Sequence, residues 1–269
     1  MDDRQQAQEG IDLDRPNAAR VYDYLIGGEL NYAIDREFAR KILALRPESR
    51  KLALMNRRWL RRAVRFGAEQ GIRQFLDIGS GMPTVGHVHE VVQAIDPACR
   101  VVYVDIEPIA VAHSKIVLQD NENAGMVHGD GEHPREILEH PTTTRLLDLS
   151  EPVMVVMAAF VHFIPDARDP AGMIATYRRA MAPGSYLALS SGTFEGQGEE
   201  VRRAAELYKQ SGTDVFPRSR AELQALLTGF ELVPPGIVYT PEWRPDDPAD
   251  VGPHPEQSSQ LALVARKPS

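Results

Sequence analysis

Apolar positions follow two rhythms along the chain. Over residues 15–70 they recur at helical spacing, and after Gly71 they gather into short continuous runs. In the first region Ala18, Val21, Tyr22 and Leu25 form a stripe that begins behind Pro16 and stops at Gly27-Gly28. Proline in a first turn and glycine past the last one are the usual bounds of a helix. A second helix is predicted over about Ile34–Leu45. Pro47 interrupts it, and a third is predicted over about Glu48–Gln70, with Leu52, Met55, Trp59, Leu60, Ala63 and Val64 on one face. Arg58, Arg61, Arg62 and Arg65 recur on the same helix as a basic face. It reads as a solvated surface, with an anion- or partner-binding face as the sharper alternative.

Beyond Gly71 the runs are IRQFLDI (72–78), RVVYVDI (100–106), GMVHGD (125–130), PVMVVMAAF (152–160) and SYLALSS (185–191). Each but the last is followed by a stretch fit for a helix. Near-continuous apolar strands separated by helices predict an α/β fold with a buried, mostly parallel sheet. Residues 198–212 and 219–229 read as helices, 241–256 as a loop or hairpin connection, and SQLALVARKP (259–268) as a final strand. Three parts are expected: a disordered tail at 1–14, a helical cap at 15–70 and a sheet domain at 71–269.

Charge sharpens the division. Residues 1–70 carry 14 Lys/Arg against 11 Asp/Glu, a net +3 within a chain of net charge -8. The acidic balance argues against a nucleic-acid partner. No run of about 18 apolar residues exists, so no membrane partner is expected. The first fourteen residues lack the basic-then-apolar order of a signal peptide. The one cysteine, Cys99, lies in a strand-like run and reads as an inert core thiol. Together these suit the cytoplasm.

The chemistry concentrates in FLDIGSGMPT (75–84), where a strand ends at Asp77 and Gly79 and Gly81 open a turn into a helix predicted near Thr84–Ile95. Dinucleotides and S-adenosylmethionine both use such turns. The dinucleotide fingerprint fails, because Thr84 stands at its third glycine. A carboxylate at Asp77 would repel a pyrophosphate but suits the ammonium and sulfonium charges of S-adenosylmethionine. Asp105, closing the second strand, could accept hydrogen bonds from ribose hydroxyls. Asp130, closing the third, could accept one from an adenine amino group, or serve only the turn. Ala158 and Ala159, closing the fourth, are small enough for a cofactor to lie against the sheet. His162 follows them and could act as a base or pack. No metal-ligand pattern, G-x-S-x-G elbow or P-loop is present.

With these residues in place the chain resembles class I S-adenosylmethionine-dependent methyltransferases. More narrowly it resembles an actinobacterial S-adenosyl methyltransferase family long catalogued as a domain of unknown function. RPNAARVYDYLIGG (15–28), Asn31, Asn56-Arg57, FLDIGSGMPT, VVYVDIEPIAVAHS (101–114), HFIPD (162–166) and FELVPPGIVYTPEWRP (230–245) carry the likeness, from about Arg15 to Lys267. Pro83 stands where the wider superfamily often has a third glycine. The resemblance implies a Rossmann-like, mostly parallel seven-stranded sheet with an antiparallel last strand, beneath an N-terminal helical cap. It implies S-adenosylmethionine as methyl donor and S-adenosylhomocysteine as product. By position, Asp77, Gly79, Ser80 and Gly81 would hold the methionine part and Asp105 the ribose. Ile106 would lie against the adenine, Asp130 and Gly131 by its rim, and Ala158 and Ala159 beneath. Tyr24, Asn31 and Arg57 would stand near cofactor or substrate, or tie the cap to the sheet. A capped pocket favours a small-molecule acceptor. Two other readings stay open: a non-catalytic S-adenosylmethionine-binding module, and an NAD-dependent oxidoreductase on the same architecture.

Overall fold

In the computed structural model, which describes residues 12–83 and 86–268, three helices precede the sheet. They are α1 (Ala18–Ile26), α2 (Ala33–Leu45) and α3 (Ser49–Glu69). The Asn17 side chain caps α1 by accepting from the Ala19 and Arg20 N–H groups, and Gly27 at φ +88° ends it. Most of the tail expected to be disordered, and Thr84 at the start of the predicted fourth helix, lie outside the described residues. At the tail's described end the Asp12 carbonyl accepts from Arg20 Nη2 at 3.0 Å.

The α/β alternation follows as β1 (Gln74–Ile78), α4 (Val88–Gln93), β2 (Arg100–Asp105), α5 (Pro108–Val117) and β3 (Ala124–His128). After them come α6 (Pro134–Glu139), α7 (Pro141–Leu146), β4 (Met154–Ala158), α8 (Pro170–Ala180) and β5 (Tyr186–Gly192). The chain closes with α9 (Glu199–Gln210), α10 (Arg220–Leu226), β6 (Glu231–Leu232), β7 (Val238–Tyr239) and β8 (Gln260–Arg266). The sheet order is β3-β2-β1-β4-β5-β8-β6, with β7 also on β8. The first five strands are parallel, and β8 runs antiparallel to β5, β6 and β7. The Rossmann-like sheet with an antiparallel C-terminal strand is therefore present. It has eight strands where seven were expected, because two short strands precede β8. Pro234-Pro235-Gly236 separates them, and prolines cannot donate to a ladder.

Side chains alternate across the sheet into two cores. Phe75, Val101, Met154 and Val156 join Trp59, Ala63 and Val64 of α3. Leu76, Val102, Val155 and Met157 join Ile174 and Tyr177 of α8 on the other face. A smaller core lies within the cap, where Val21, Leu25, Phe38 and Ile42 meet Ala53 of α3 and Tyr208 of α9. The helix after β5 thus completes the cap, and α3 serves cap and sheet alike.

The predicted loop at 241–256 contributes more than a connection. Trp243 is fully buried, edge-on to Phe66 with ring centres 5.8 Å apart. Arg62 is buried too. It donates to the carbonyls of Trp243 (3.0 Å) and Thr240 (2.8 Å), and Arg65 pairs with Asp246. The basic face expected on α3 is therefore split, with Arg58 and Arg61 left exposed. No helix among the described residues is long and apolar enough to cross a membrane.

Candidate functional site

From β1 the chain winds through β2 to β3 on one side, whereas β4 and β5 lie on the other. Between β1 and β4 this reversal opens a crevice at the carboxyl ends of the strands, where open α/β sheets bind ligands. A cavity of about 550 Å3 fills it and continues beneath the cap.

Asp77, near the end of β1, lines the crevice and is only 3% exposed. Burial pushes its carboxyl up to about 7; the Arg57 charge opposes the rise and the Asp105 charge adds to it. The following turn is fixed from behind, since Gly79 and Ser80 both donate to the Val104 carbonyl, at 2.9 and 3.0 Å. Gly79 and Gly81 take φ of +68° and +71°. A Cβ on Gly79 would stand 2.6 Å from the Phe160 ring, while one on Gly81 would meet nothing within 4 Å. Gly81 therefore presents bare backbone to the cavity. The Ser80 hydroxyl beside it is buried with no partner among the described residues.

Asp105 ties two loops together. Its Oδ2 accepts from the Gly81 N–H at 2.7 Å and its Oδ1 from the Glu107 N–H at 2.9 Å. A carboxylate has about four acceptor positions, so lone pairs remain for a ligand. Ile106, next in the chain, leaves 61% of its surface exposed at the cavity rim. Asp130 and Gly131 line the cavity past β3. Asp130 accepts from the Glu132 N–H at 2.9 Å, and Tyr177 Oη donates to the Gly131 carbonyl at 2.9 Å. The turn role weighed for Asp130 is thus present, and it does not remove the residue from the rim.

Ala158 and Ala159 form the floor, Ala159 at φ +54°. Its N–H donates to Ser190 Oγ at 2.9 Å and to the Ser190 carbonyl at 3.1 Å. Ser190 Oγ donates to Asn56 Oδ1 at 2.7 Å, Asn56 Nδ2 to Tyr22 Oη at 3.3 Å, and Tyr22 Oη to the Ala53 carbonyl at 2.9 Å. This chain of bonds runs from the strained floor residue into the cap. His162 also lines the cavity, and its Nδ1 accepts from the Gly192 N–H at 3.2 Å. The bond places the proton of the neutral ring on Nε2. Burial, with the Arg218 charge, lowers the His162 pKa to about 4.

A second set of polar contacts clasps the cap to the strand edge. Arg20, 1% exposed, donates from Nε to Asp35 at 2.8 Å and from Nη1 to Glu107 at 3.0 Å. Asn17 Nδ2 donates to the other Glu107 oxygen at 2.6 Å. Of the cap residues singled out, Arg57 lines the cavity, whereas Tyr24 and Asn31 do not. Asn31 donates to Asp23 Oδ2 (2.7 Å) and the Gly28 carbonyl (2.9 Å), and the Arg50 guanidinium lies 5.4 Å from the Tyr24 ring centre. Helical periodicity explains Tyr24, for Tyr22, Leu25 and Ile26 share the cavity face and Tyr24 falls off it, whereas Asn31 lies past the end of α1.

The model of the S-adenosyl methyltransferase family matches residues 4–268. The chain belongs to that family. Within the same fold, a candidate methyltransferase from Thermobifida fusca shares 37% identity at a TM-score of 0.91, over 97% of this chain and 98% of its own. A protein of the DUF574 family from Streptomyces avermitilis shares 39% identity at 0.90, over 95% and 98%. A plantazolicin methyltransferase with S-adenosylhomocysteine bound, 11% identical at 0.50 over 93% and 95%, shares the fold alone. No curated protein matches the sequence. As a family of S-adenosyl methyltransferases, it takes S-adenosylmethionine as its cofactor.

The sequence analysis gave no site role to Asn56, which it noted only for its family likeness, nor to Ser190, Glu107 or the α9 wall of this site. Asn56 offered a signal, as an asparagine on the apolar face of α3 beside Arg57. Glu107 offered a weaker one, as an acid just past Asp105. Nothing in residues 199–210 showed that their helix would turn to the cap.

Proposed function

We propose that this protein transfers the methyl group of S-adenosylmethionine to a small organic acceptor held under the cap. One observation carries the reading: the cavity that begins at Asp77 and Asp105 continues into a lobe walled by Leu25, Ile42, Leu52 and Tyr208. A lobe of that kind admits a small apolar body rather than a duplex or a folded protein surface. The buried thiol of Cys99, raised by burial, suits a reducing compartment such as the cytoplasm.

The crevice fits the cofactor. Asp77 offers a buried carboxylate to the ammonium group, and Ser80 an unpartnered hydroxyl to the methionine part. Gly81 lets a ligand reach bare backbone, Asp105 keeps acceptor positions for ribose hydroxyls, and Ile106 presents an apolar face to an aromatic ring. Arg57, whose charge acts on Asp77, lines the same cavity and suits a carboxylate. Asp130, Gly131, Ala158 and Ala159 complete the rim and floor. When bound, S-adenosylmethionine supplies a methyl group activated by its sulfonium, whose departure leaves a neutral thioether. The remaining work is to orient the acceptor and exclude water, which the cap and floor perform.

His162 serves this reading as a hydrogen-bond donor rather than a base. With Nδ1 occupied and the proton on Nε2, the ring has no free lone pair at neutral pH. His162→Ala is expected to lower turnover roughly tenfold, the worth of one hydrogen bond, and His162→Gln to retain most of it. A pH–rate limb present in the parent and missing from His162→Gln would instead make His162 the base.

Calorimetry with S-adenosylmethionine, S-adenosylhomocysteine and NAD tests the cofactor. Binding of the adenosyl pair alone is expected, and binding of NAD alone would overturn the reading. Asp105→Ala is expected to weaken S-adenosylhomocysteine by roughly 1–3 kcal/mol, and unchanged affinity in a folded variant would remove Asp105 from the ribose role. Release of labelled methyl to small hydroxyl, amine or carboxylate acceptors tests transfer. Cofactor binding without transfer to any of them would favour a non-catalytic module.

A further inference from the structure

Arg46 and Arg62 are the two buried arginines without an ion pair among the described residues, and of these only Arg46 lines the cavity. Arg20 reaches two carboxylates and Arg218 pairs with Asp166. Arg46, 9% exposed, forms no ion pair among the described residues. Its Nη2 donates only to neutral oxygens, Ser259 Oγ at 2.6 Å and the Gln257 carbonyl at 2.7 Å. Glu200 and Glu48, both exposed, act on it only at longer range. A buried charge is ordinarily paired. Arg46 lines the proposed acceptor lobe. Gln260 lines the same lobe, and its buried Oε1 has no partner among the described residues.

The floor at Ala159 is connected through Ser190 to Asn56 of α3. Seven helical steps separate Ser49, whose N–H donates to the Arg46 carbonyl, from Asn56, about 10 Å of helix at 1.5 Å per residue. The stretch between is apolar, with Ile42, Leu52 and Ala53 facing Ala204 and Tyr208 of α9. Arg57 lies beside Asn56, eleven positions along the chain from Arg46, and its charge acts on Asp77.

Resting on the methyltransferase reading, we propose that the acceptor is an amphipathic carboxylate about 10 Å long. Arg46 fixes its anionic end, the apolar lobe holds its body, and its nucleophilic atom is presented at the floor. Arg46 is then a specificity-determining residue for the acceptor. The bonds from Ser259 and Gln257 keep its guanidinium in place before the acceptor arrives.

The test uses hydroxynaphthoate and hydroxynaphthamide, which match in shape and differ in charge, titrated into the full chain saturated with S-adenosylhomocysteine. The acid is expected to bind roughly tenfold or more tighter than the amide, the range of a charge-assisted hydrogen bond. Arg46→Gln should reduce that preference to within about twofold, and Arg46→Lys should restore part of it. S-adenosylhomocysteine affinity, measured in the same samples, should hold in both variants and certifies their folding. Equal binding of acid and amide by the parent, binding of neither, or a preference surviving in Arg46→Gln would each overturn the assignment. Loss of S-adenosylhomocysteine binding by the parent would instead overturn the cofactor reading beneath it.

Discussion

Asp77→Asn is expected to weaken S-adenosylhomocysteine binding roughly 10–100-fold above neutral pH, the worth of a buried charge-assisted contact with the ammonium group. The parent should show a second signature. Its Asp77 carboxyl, raised to about 7 chiefly by burial, is neutral in acid and loses its attraction for a cation there. Affinity should therefore fall as pH drops below that value, by up to about tenfold per pH unit. In the asparagine variant the slope should be gone. Stability moves the opposite way. Between the ordinary carboxyl value of 3.8 and about 7 the unfolded chain gives up a proton that the ligand-free fold retains. Folding stability is thus lost as pH rises through that window and is intact below it. Ligand-free Asp77→Asn should melt above the parent at alkaline pH and level with it in acid. A parent whose affinity is flat with pH would remove the carboxylate from ammonium binding.

Arg20→Met should be the most destabilising single change in the cap. It leaves Asp35 and Glu107 buried without their cation, and breaking such a pair costs about 3–5 kcal/mol. For a chain of this size that is a melting shift on the order of 10 °C. Lysine should recover only part of it, because one ammonium cannot reproduce a planar fork that also reaches the carbonyls of Asp12 and Arg15. Glu107 follows Ile106 on the cavity rim, where the proposed function puts the adenine, so S-adenosylhomocysteine affinity should fall with stability. Thermal melts with and without that ligand check both. An unshifted melt would mean the clasp is solvated and dispensable.

Much of this arrangement was legible in the sequence because period and punctuation are local. The strand runs, the glycines after Asp77 and the acids at three strand ends all fell where the sheet places them. The cap's three helices could be read from Pro16, Gly27 and Pro47. What escaped depends on contacts across long stretches of chain. Arg62 matched its exposed neighbours in spacing, yet it is buried by carbonyls some 180 residues away. Tyr24 and Asn31 sat in the right motif, but helix phase turned Tyr22 to the cavity instead. The two short strands before β8 are too brief for any periodicity to mark.

The sharing of α3 between cap and sheet has a consequence for how this family diversifies. Its C-terminal half is locked among strand residues, while its first turns, with α2 and α9, wall the cavity. Mutational tolerance is therefore graded along one helix. On the proposed function, substitutions at Ile42, Leu52, Ala204 and Tyr208 would reshape the lobe while Asp77, Gly81 and Asp105 keep their own contacts. On that reading, a helix rooted in the sheet core at one end and lining the cavity at the other ties acceptor choice to its first turns and the cofactor edge to its last.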